Sequence, residues 1–283
     1  MKNQKAIGYE NQNVFITGAA GGLGRVLAAE CAHRGYNLFL TDVNEEGLLC
    51  IREGLERQFG VTVAAKACDL TCNESVDEML GIIDKSNIRF DILLNIAGLD
   101  YEGGFTCRER ENIVKIVTLN DAATLRITHA ILERRRKGRR FTAVFVSSLA
   151  SMFPMPLKAT YAASKRFLLD FSTALRQELK NHNVNVLALC PGGMVTTKET
   201  TEAICAQGFW GSATTNPLES VAAKTLNRAF GGKGIYIPGG LNRTLSFIGK
   251  FIPRSLAAQL IYRRWNRAQN KWLNNGNENS VTV

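Results

Sequence analysis

Tyr161 and Lys165 stand four residues apart in the stretch Tyr161-Ala162-Ala163-Ser164-Lys165. On a helix that spacing sets a phenol and an ammonium on one face, a turn apart. A free phenol ionises near pH ~10, too high for a general base at neutrality, and an adjacent cation favours the phenolate by Coulomb attraction. Such a pair can carry a proton to or from an oxygen atom. A second feature suits an anion: Thr17-Gly18-Ala19-Ala20-Gly21-Gly22-Leu23-Gly24 lies between an apolar run and a helical pattern. Backbone amides and a helix N-terminus can hold a pyrophosphate there without a cationic side chain. Gly18 allows the tight turn, Gly22 lets phosphates approach the backbone beside Leu23, and Gly24 lets the helix pack close to the strand. Asp42, ending the second strand, can accept hydrogen bonds from ribose hydroxyls and would repel a 2′-phosphate. Thr41 and Val43 supply no cation to reverse that preference, and Arg25 stands one residue past the glycines. The cofactor expected is therefore NAD rather than NADP. Taken singly, Asp42 also fits an ordinary turn and the Tyr/Lys pair an ordinary helix surface.

These groups need a frame that brings them together. Strand-like and helix-like segments alternate from residue 13 to residue 237, the pattern of a parallel sheet with crossover helices. Strands are expected at residues 14–17, 38–40, 61–65, 92–94, 144–146, 184–189 and 235–237, and the first helix at 25–34, stopped by Gly35. The fold class is α/β: a Rossmann-type doubly wound parallel sheet in three layers, one domain over residues 1–250. Residues 196–216 lack periodicity, carry Phe209 and Trp210, and read as a lid over substrate. Over residues 251–283, Ile252, Leu256, Leu260, Ile261, Trp265 and Trp272 recur at helical spacing with cations between them, an amphipathic helix followed by a polar tail from residue 274.

With 283 residues and 45% apolar content, one sizeable core is available. The net charge of +10 would permit nucleic acid, an anionic membrane or an acidic substrate as partner. Arg134, Arg135, Arg136, Lys137, Arg139 and Arg140 form one basic run, read as a solvated turn at a helix end. Arg254, Arg263, Arg264, Arg267 and Lys271 form another. The first is not interleaved with the stacking aromatics of single-strand binders, and no nucleic-acid partner is expected. Seven scattered cysteines without CxxC pairing suit reduced thiols in the cytoplasm and no metal site. Residues 1–13 lack the apolar core of a signal peptide, and no run reaches the ~18 apolar residues of a spanning helix, so the chain is expected to be soluble.

The ordered motifs of this chain resemble those of the short-chain dehydrogenases/reductases in their single-domain branch. The resemblance runs from Asn13 to about Pro238. It takes in the glycine turn, Asp69-Leu70, Asn95-Ile96-Ala97-Gly98, Asn120, Ser147-Ser148, the Tyr161/Lys165 pair and Pro191-Gly192-Gly193-Met194-Val195-Thr196. It implies Tyr161 as general acid/base, with Lys165 lowering its pKa and bonding the nicotinamide ribose. It further implies Ser148 as hydrogen-bond donor to the substrate oxygen, and Asn120, in a helix, as holder of a water leading from Lys165. Asp69 and Leu70 would contact the adenine, while Asn95, Ala97 and Gly98 would line the adenosine side. Pro191, Gly192 and Thr196 would close over the nicotinamide. Ile96, where the family often has a second Asn, and Met194, for Val or Ile, are departures. The implied activity is interconversion of a secondary alcohol and a ketone with NAD(H). Phe209, Trp210, Met152, Phe153 and Met155 point to a bulky hydrophobic substrate, a hydroxysteroid first and a lipid or other small carbonyl compound second. A non-catalytic NAD(H)-binding regulator is the reading from another class. The resemblance also implies a homodimer or homotetramer. The C-terminal helix is expected to cap the pocket, to pack on another subunit or to make weak membrane-surface contact.

Overall fold

A computed structural model of the chain describes residues 12–196 and 213–273, with side chains of the last helix as far as residue 264. The expected Phe209 and Trp210 lid, the side chains of Trp265 and Trp272, and the polar tail lie outside the described residues.

Seven parallel strands form one sheet in the order β3-β2-β1-β4-β5-β6-β7: β1 (Asn13–Thr17), β2 (Asn37–Asp42), β3 (Val63–Ala67), β4 (Ile92–Asn95), β5 (Phe141–Val146), β6 (Val184–Leu189) and β7 (Ile235–Tyr236). Around it run α1 (Gly22–His33), α2 (Glu45–Phe59), α3 (Asn73–Lys85), α4 (Arg110–Val117), α5 (Thr124–Glu133), α6 (Ala159–Glu178), α7 (Leu218–Phe230), α8 (Gly240–Gly249) and α9 (Arg254–Leu273). Strand side chains alternate between faces, so nearly continuous apolar runs fill two cores. Val14, Ile16, Leu38, Leu40, Val144 and Leu187 pack under α1, α2 and α7. Phe15, Phe39, Leu93, Phe145 and Val186 pack on the opposite face, against α3, α5 and α6. The result is the expected three-layer, doubly wound sheet.

Several boundaries differ from the sequence expectation: β5 starts three residues earlier, at Phe141, and β2 extends to Asp42. Helix α1 starts inside the glycine turn at Gly22, because glycine does not obstruct a first helical turn. Strand β3 starts at Val63, since Gly60, left-handed at φ 66°, caps α2 and residues 61 and 62 serve as the return. The basic run also differs. Arg134 pairs with Asp84 at 2.6 Å and Arg136 with buried Asp91 at 3.5 Å, so two of its cations pin the α5–β5 connection instead of being merely solvated. In α9, Ala257 is buried while Leu256 and Leu260 are exposed, so that apolar pair does not cap a pocket. Six cysteines, Cys31, Cys50, Cys68, Cys72, Cys107 and Cys190, are free thiols.

Candidate active site

The chain leaves β1 toward β2 and β3 on one side and continues from β4 toward β7 on the other. A crevice therefore opens at the carboxyl ends of the adjacent strands β1 and β4, where Thr17 and Asn95 are in register. Thr17 Oγ1 accepts the N–H groups of Ile96 (3.0 Å) and Ala97 (3.1 Å), which locks the two loops together. Gly18 is left-handed at φ +65°, and a Cβ there would lie 2.8 Å from the Ala97 backbone. A Cβ on Gly24 would collide with the Gly18 carbonyl, so this glycine serves the closeness of the turn itself. Helix α1 opens with neither a side-chain cap nor an acidic residue in its first turn. Its leading amides and positive dipole end thus suit an anion, which fits a dinucleotide pyrophosphate.

Asp42 Oδ2 accepts the Ala20 N–H at 3.0 Å and Oδ1 the Asn44 N–H at 3.0 Å, holding the glycine turn against the end of β2. Each oxygen keeps a further lone pair for a hydroxyl donor. Asp69 is exposed, and hydrogen bonds from the Thr71 hydroxyl and N–H hold its carboxyl below the usual range. Leu70 is buried beside it. Asn95 donates through Nδ2 to Thr128 Oγ1 at 3.0 Å, so its side chain is committed to tying β4 to α5. Ala97 and Gly98 follow at the crevice. A Cβ on Gly98 would lie 3.0 Å from Lys165 Nζ and 3.1 Å from Asn120 Oδ1, which puts both groups against this backbone.

Asn120 lies not in ordinary α-helix but in a π-helical turn, Thr118–Ala123, between α4 and α5. Its Oδ1 accepts the Leu99 N–H at 2.7 Å, and its Nδ2 donates to the Leu99 carbonyl at 3.0 Å and to Ser164 Oγ at 2.9 Å. The side chain is thus a clamp on the loop after β4. A widened turn of this kind re-aims one residue without ending the helix.

Helix α6 carries both Tyr161 and Lys165, as their spacing requires. Lys165 is almost wholly buried; Nζ donates to the Val146 carbonyl at 3.0 Å, and its own carbonyl accepts Ser147 Oγ at 2.6 Å. Burial pulls the Lys165 ammonium down to about 8, against the opposing pull of Asp100, Asp121 and Cys190. Ser148 caps the short 3₁₀ helix Leu149–Met152, accepting the Ala150 N–H at 3.1 Å, and its hydroxyl faces the Tyr161 phenol, where it favours the ionised form. That phenol is pushed above its ordinary range, first by burial and then by the Asp100 charge, with Lys158 and the Ser148 hydroxyl opposing. Beside Lys165, which the sequence reading named as the cation near the phenol, the structure places a second one, Lys158. Lys158 Nζ lies 5.4 Å from the Tyr161 ring centre and Lys165 Nζ 5.7 Å, and Lys158 is the cation that lowers the phenol pKa. The reason is geometric: Lys165 Nζ is turned to the end of β5, on Val146.

Sequence reading missed Lys158, Asp100 and Glu102. Lys158 Nζ pairs with Asp100 at 2.6 Å and Glu102 at 3.4 Å, and one oxygen of Asp100 is buried without a hydrogen-bond partner. Burial opposes the Lys158 charge, yet these carboxylates outweigh it and hold the ammonium above its usual range. The lysine could have been found three residues before Tyr161; nothing local marks Asp100. At the far wall, the Pro191 carbonyl accepts the Leu149 N–H at 2.7 Å. Gly192 admits no side chain, being packed on the Thr214 carbonyl and Asn242. A Cβ on Gly22 would lie 2.6 Å from Thr196 Cβ, so the segment from Pro191 to Thr196 reaches back over the glycine turn. Among the described residues no group of three or more His, Cys, Asp or Glu could hold a metal ion.

Comparison with known proteins agrees with this arrangement. A very-long-chain 3-oxoacyl-CoA reductase from Pyrenophora tritici-repentis is 33% identical over 178 residues, covering 61% of this chain and 52% of that protein. The chain thus spans about half the length of the curated relatives it matches. L-sorbose reductase from Gluconobacter frateurii, solved with NADPH and L-sorbose, superposes with a TM-score of 0.74 at 22% identity, covering 82% of this chain and 97% of that one. A 3-oxoacyl-[acyl-carrier protein] reductase from Brucella melitensis, solved with bound NAD, superposes with a TM-score of 0.71 at 23% identity, covering 85% and 97%. These two likenesses concern the fold. The family model of the short chain dehydrogenases matches residues 12–204, from the first strand through the Tyr161 helix and past the Pro191 to Thr196 segment over the glycine turn, and the chain belongs to that family.

Proposed function

We propose that this protein is an NAD(H)-dependent oxidoreductase that interconverts a secondary alcohol and a ketone on a bulky apolar substrate. The observation that carries the reading is the convergence of Tyr161, Lys165 and Asn120 at the carboxyl end of the sheet: Lys165 Nζ lies 5.7 Å from the Tyr161 ring centre, and Lys165 Nζ and Asn120 Oδ1 both stand against Gly98. In the direction of reduction, Tyr161 gives its proton to the carbonyl oxygen while Ser148 Oγ donates a hydrogen bond to the charge developing there. A bound nicotinamide would supply the hydride to the carbonyl carbon. Lys165, on the Gly98 side, would bond the nicotinamide ribose, and Thr196 would partner the carboxamide. Asn120 fixes the loop that faces Lys165, and a water held there would relay protons. Gly18, Gly22, Leu23 and Gly24 would receive the pyrophosphate; Asp69, Leu70, Asn95, Ala97 and Gly98 would flank the adenosine.

The choice of NAD over NADP rests on Asp42, whose carboxylate would repel a 2′-phosphate at the end of β2. Substrate class is supported by Met152, packed beside Leu169 and Cys190, and by Phe153 on Gly249, which make the wall past Ser148 apolar. The curated relative's name favours a long-chain 3-oxoacyl substrate over the hydroxysteroid expected from sequence. An oligomer is supported by exposed Val114, Val117, Leu125 and Phe167 on α4, α5 and α6, side chains that a second copy could cover. The six free thiols suit a reducing, cytoplasmic setting.

The test uses purified protein, 3-oxoacyl thioesters, hydroxysteroids and simple ketones, with NADH and NADPH in parallel. Tyr161→Phe is expected to lower kcat by about 10³-fold while leaving NADH affinity nearly unchanged. Full activity of that variant, or a better kcat/KM with NADPH, would overturn respectively the proton donor and the cofactor choice. Tight NADH binding with no turnover across the panel would favour the non-catalytic regulator.

A further inference from the structure

The charge of this protein is not spread along the chain. Between Glu219 and Glu278 there are ten cations and no acidic residue, whereas residues 1–219 hold 25 cations against 24 acids. Nearly the whole net charge therefore belongs to the stretch from Lys224 onward, eight of its ten cations lying after α7, and all of it beyond the residues that the family model matches. The same elements expose their largest apolar side chains. Phe251 is 75% exposed, Phe247 62% and Ile248 51%, and Leu241, Leu256, Leu260 and Tyr262 are exposed as well. The Phe247 and Phe251 rings meet edge to face at 5.4 Å, forming one apolar knuckle at the end of α8. Arg243, Lys250, Arg254 and Arg263 are exposed around it.

We propose that α8, α9 and the turn between them dock the protein on the surface of an anionic lipid bilayer. Aromatic and aliphatic groups would enter the boundary between headgroups and acyl chains, with the cations at phosphate level, in the manner of an interfacial amphipathic helix. No helix among the described residues is long and apolar enough to cross a membrane, so the contact lies on the bilayer and does not span it. Charge decides against a second copy as occupant. A twofold interface puts the same patch on both subunits, and here that would bring two all-cationic faces together. The docking is independent of the hydride-transfer reading. If both hold, the position of Gly249 directly on Phe153, five residues past Ser148, sets the docked surface beside the pocket wall and favours substrates drawn from the lipid phase.

The test is co-sedimentation of the full-length protein with vesicles of phosphatidylcholine alone and of phosphatidylcholine mixed with phosphatidylglycerol. Binding is expected only to the mixed vesicles and should weaken in high salt. Lys250→Glu with Arg254→Glu should weaken it at least about tenfold, given about 1 kcal/mol per cation near an anionic surface. Phe247→Ser with Phe251→Ser should weaken it independently of salt. These side chains are exposed, so unchanged thermal unfolding and NADH binding will identify a variant that has folded. Absence of binding to mixed vesicles, or binding that neither double variant reduces, would overturn the proposal. So would a lipid-free oligomer, seen by light scattering, that dissociates in Phe247→Ser with Phe251→Ser, because the patch would then belong to another copy.

Discussion

Tyr161 shows how far a single residue's chemistry depends on groups outside its own motif. Asp100 and Lys158 act on the phenol in opposite senses, the carboxylate raising its pKa and the ammonium lowering it. Asp100→Asn removes the negative charge and leaves Lys158 paired with Glu102, so the phenol should ionise at lower pH. In the oxidation direction the acid limb of the kcat/KM profile should accordingly move down in pH; an unmoved or rising limb would count against this electrostatic role. Lys165 gives a stability prediction with the reverse geometry. Its folded-state pKa of about 8 lies below the usual value of 10.5, so the unfolded chain binds the extra proton between those pH values. Stability attributable to this group therefore rises as pH increases from about 8 toward 10.5, and below that window the buried cation is a standing cost. Lys165→Met should abolish turnover yet raise the urea stability at pH 7 by about 1–3 kcal/mol, an advantage that shrinks by pH 10. Equal gains at both pH values would contradict the assignment.

Among the elements, the π-turn Thr118–Ala123 is the one whose shape serves the site most directly. It aims Asn120 at both backbone groups of Leu99, and through them sets the path of the loop that carries Asp100 and Glu102 to Lys158. Asn120→Ala would leave the Leu99 N–H without its acceptor in a half-buried setting, at a cost of about 1–2 kcal/mol. The loss should appear in urea unfolding, together with faster amide hydrogen exchange at Leu99. Exchange as slow as in the parent protein would mean that the clamp does not hold the loop. The glycine turn works differently, through absent atoms. Gly18 and Gly24 leave no room for Cβ, one against the next loop and the other against the turn itself. That requirement is visible in residue type, whereas the Asn120 clamp is not, because mid-helix asparagine carries no local mark of a π-turn.

Across the whole molecule, the two cores on either side of the sheet fix the distance between the nucleotide turn and the Tyr161 helix. On one face Phe15, Phe39 and Phe90 form a three-ring cluster. Phe15 stacks on Phe39 at 5.4 Å and meets Phe90 edge-on at 5.4 Å. Phe15→Ala should cost about 3–5 kcal/mol, read from the urea midpoint, because it removes a fully buried ring from the middle of the core. A loss under about 1 kcal/mol would show that the cluster collapses onto the gap. The alternation of strands and helices, the three layers and the positions of Gly18, Asp42, Tyr161 and Lys165 in the chain follow from the sequence alone. Hydrophobic periodicity and glycine placement are local signals, and the chain between them is regular. What only the tertiary structure decided is which charges meet. Asp100 reaches Lys158, Arg136 reaches Asp91, Asn95 turns to Thr128 and Lys165 Nζ to Val146, all through contacts between segments distant in the chain or across a packed layer. Electrostatic and hydrogen-bond partners are set by where backbones cross and how far burial strengthens each charge, and neither quantity is written in a local run of residues.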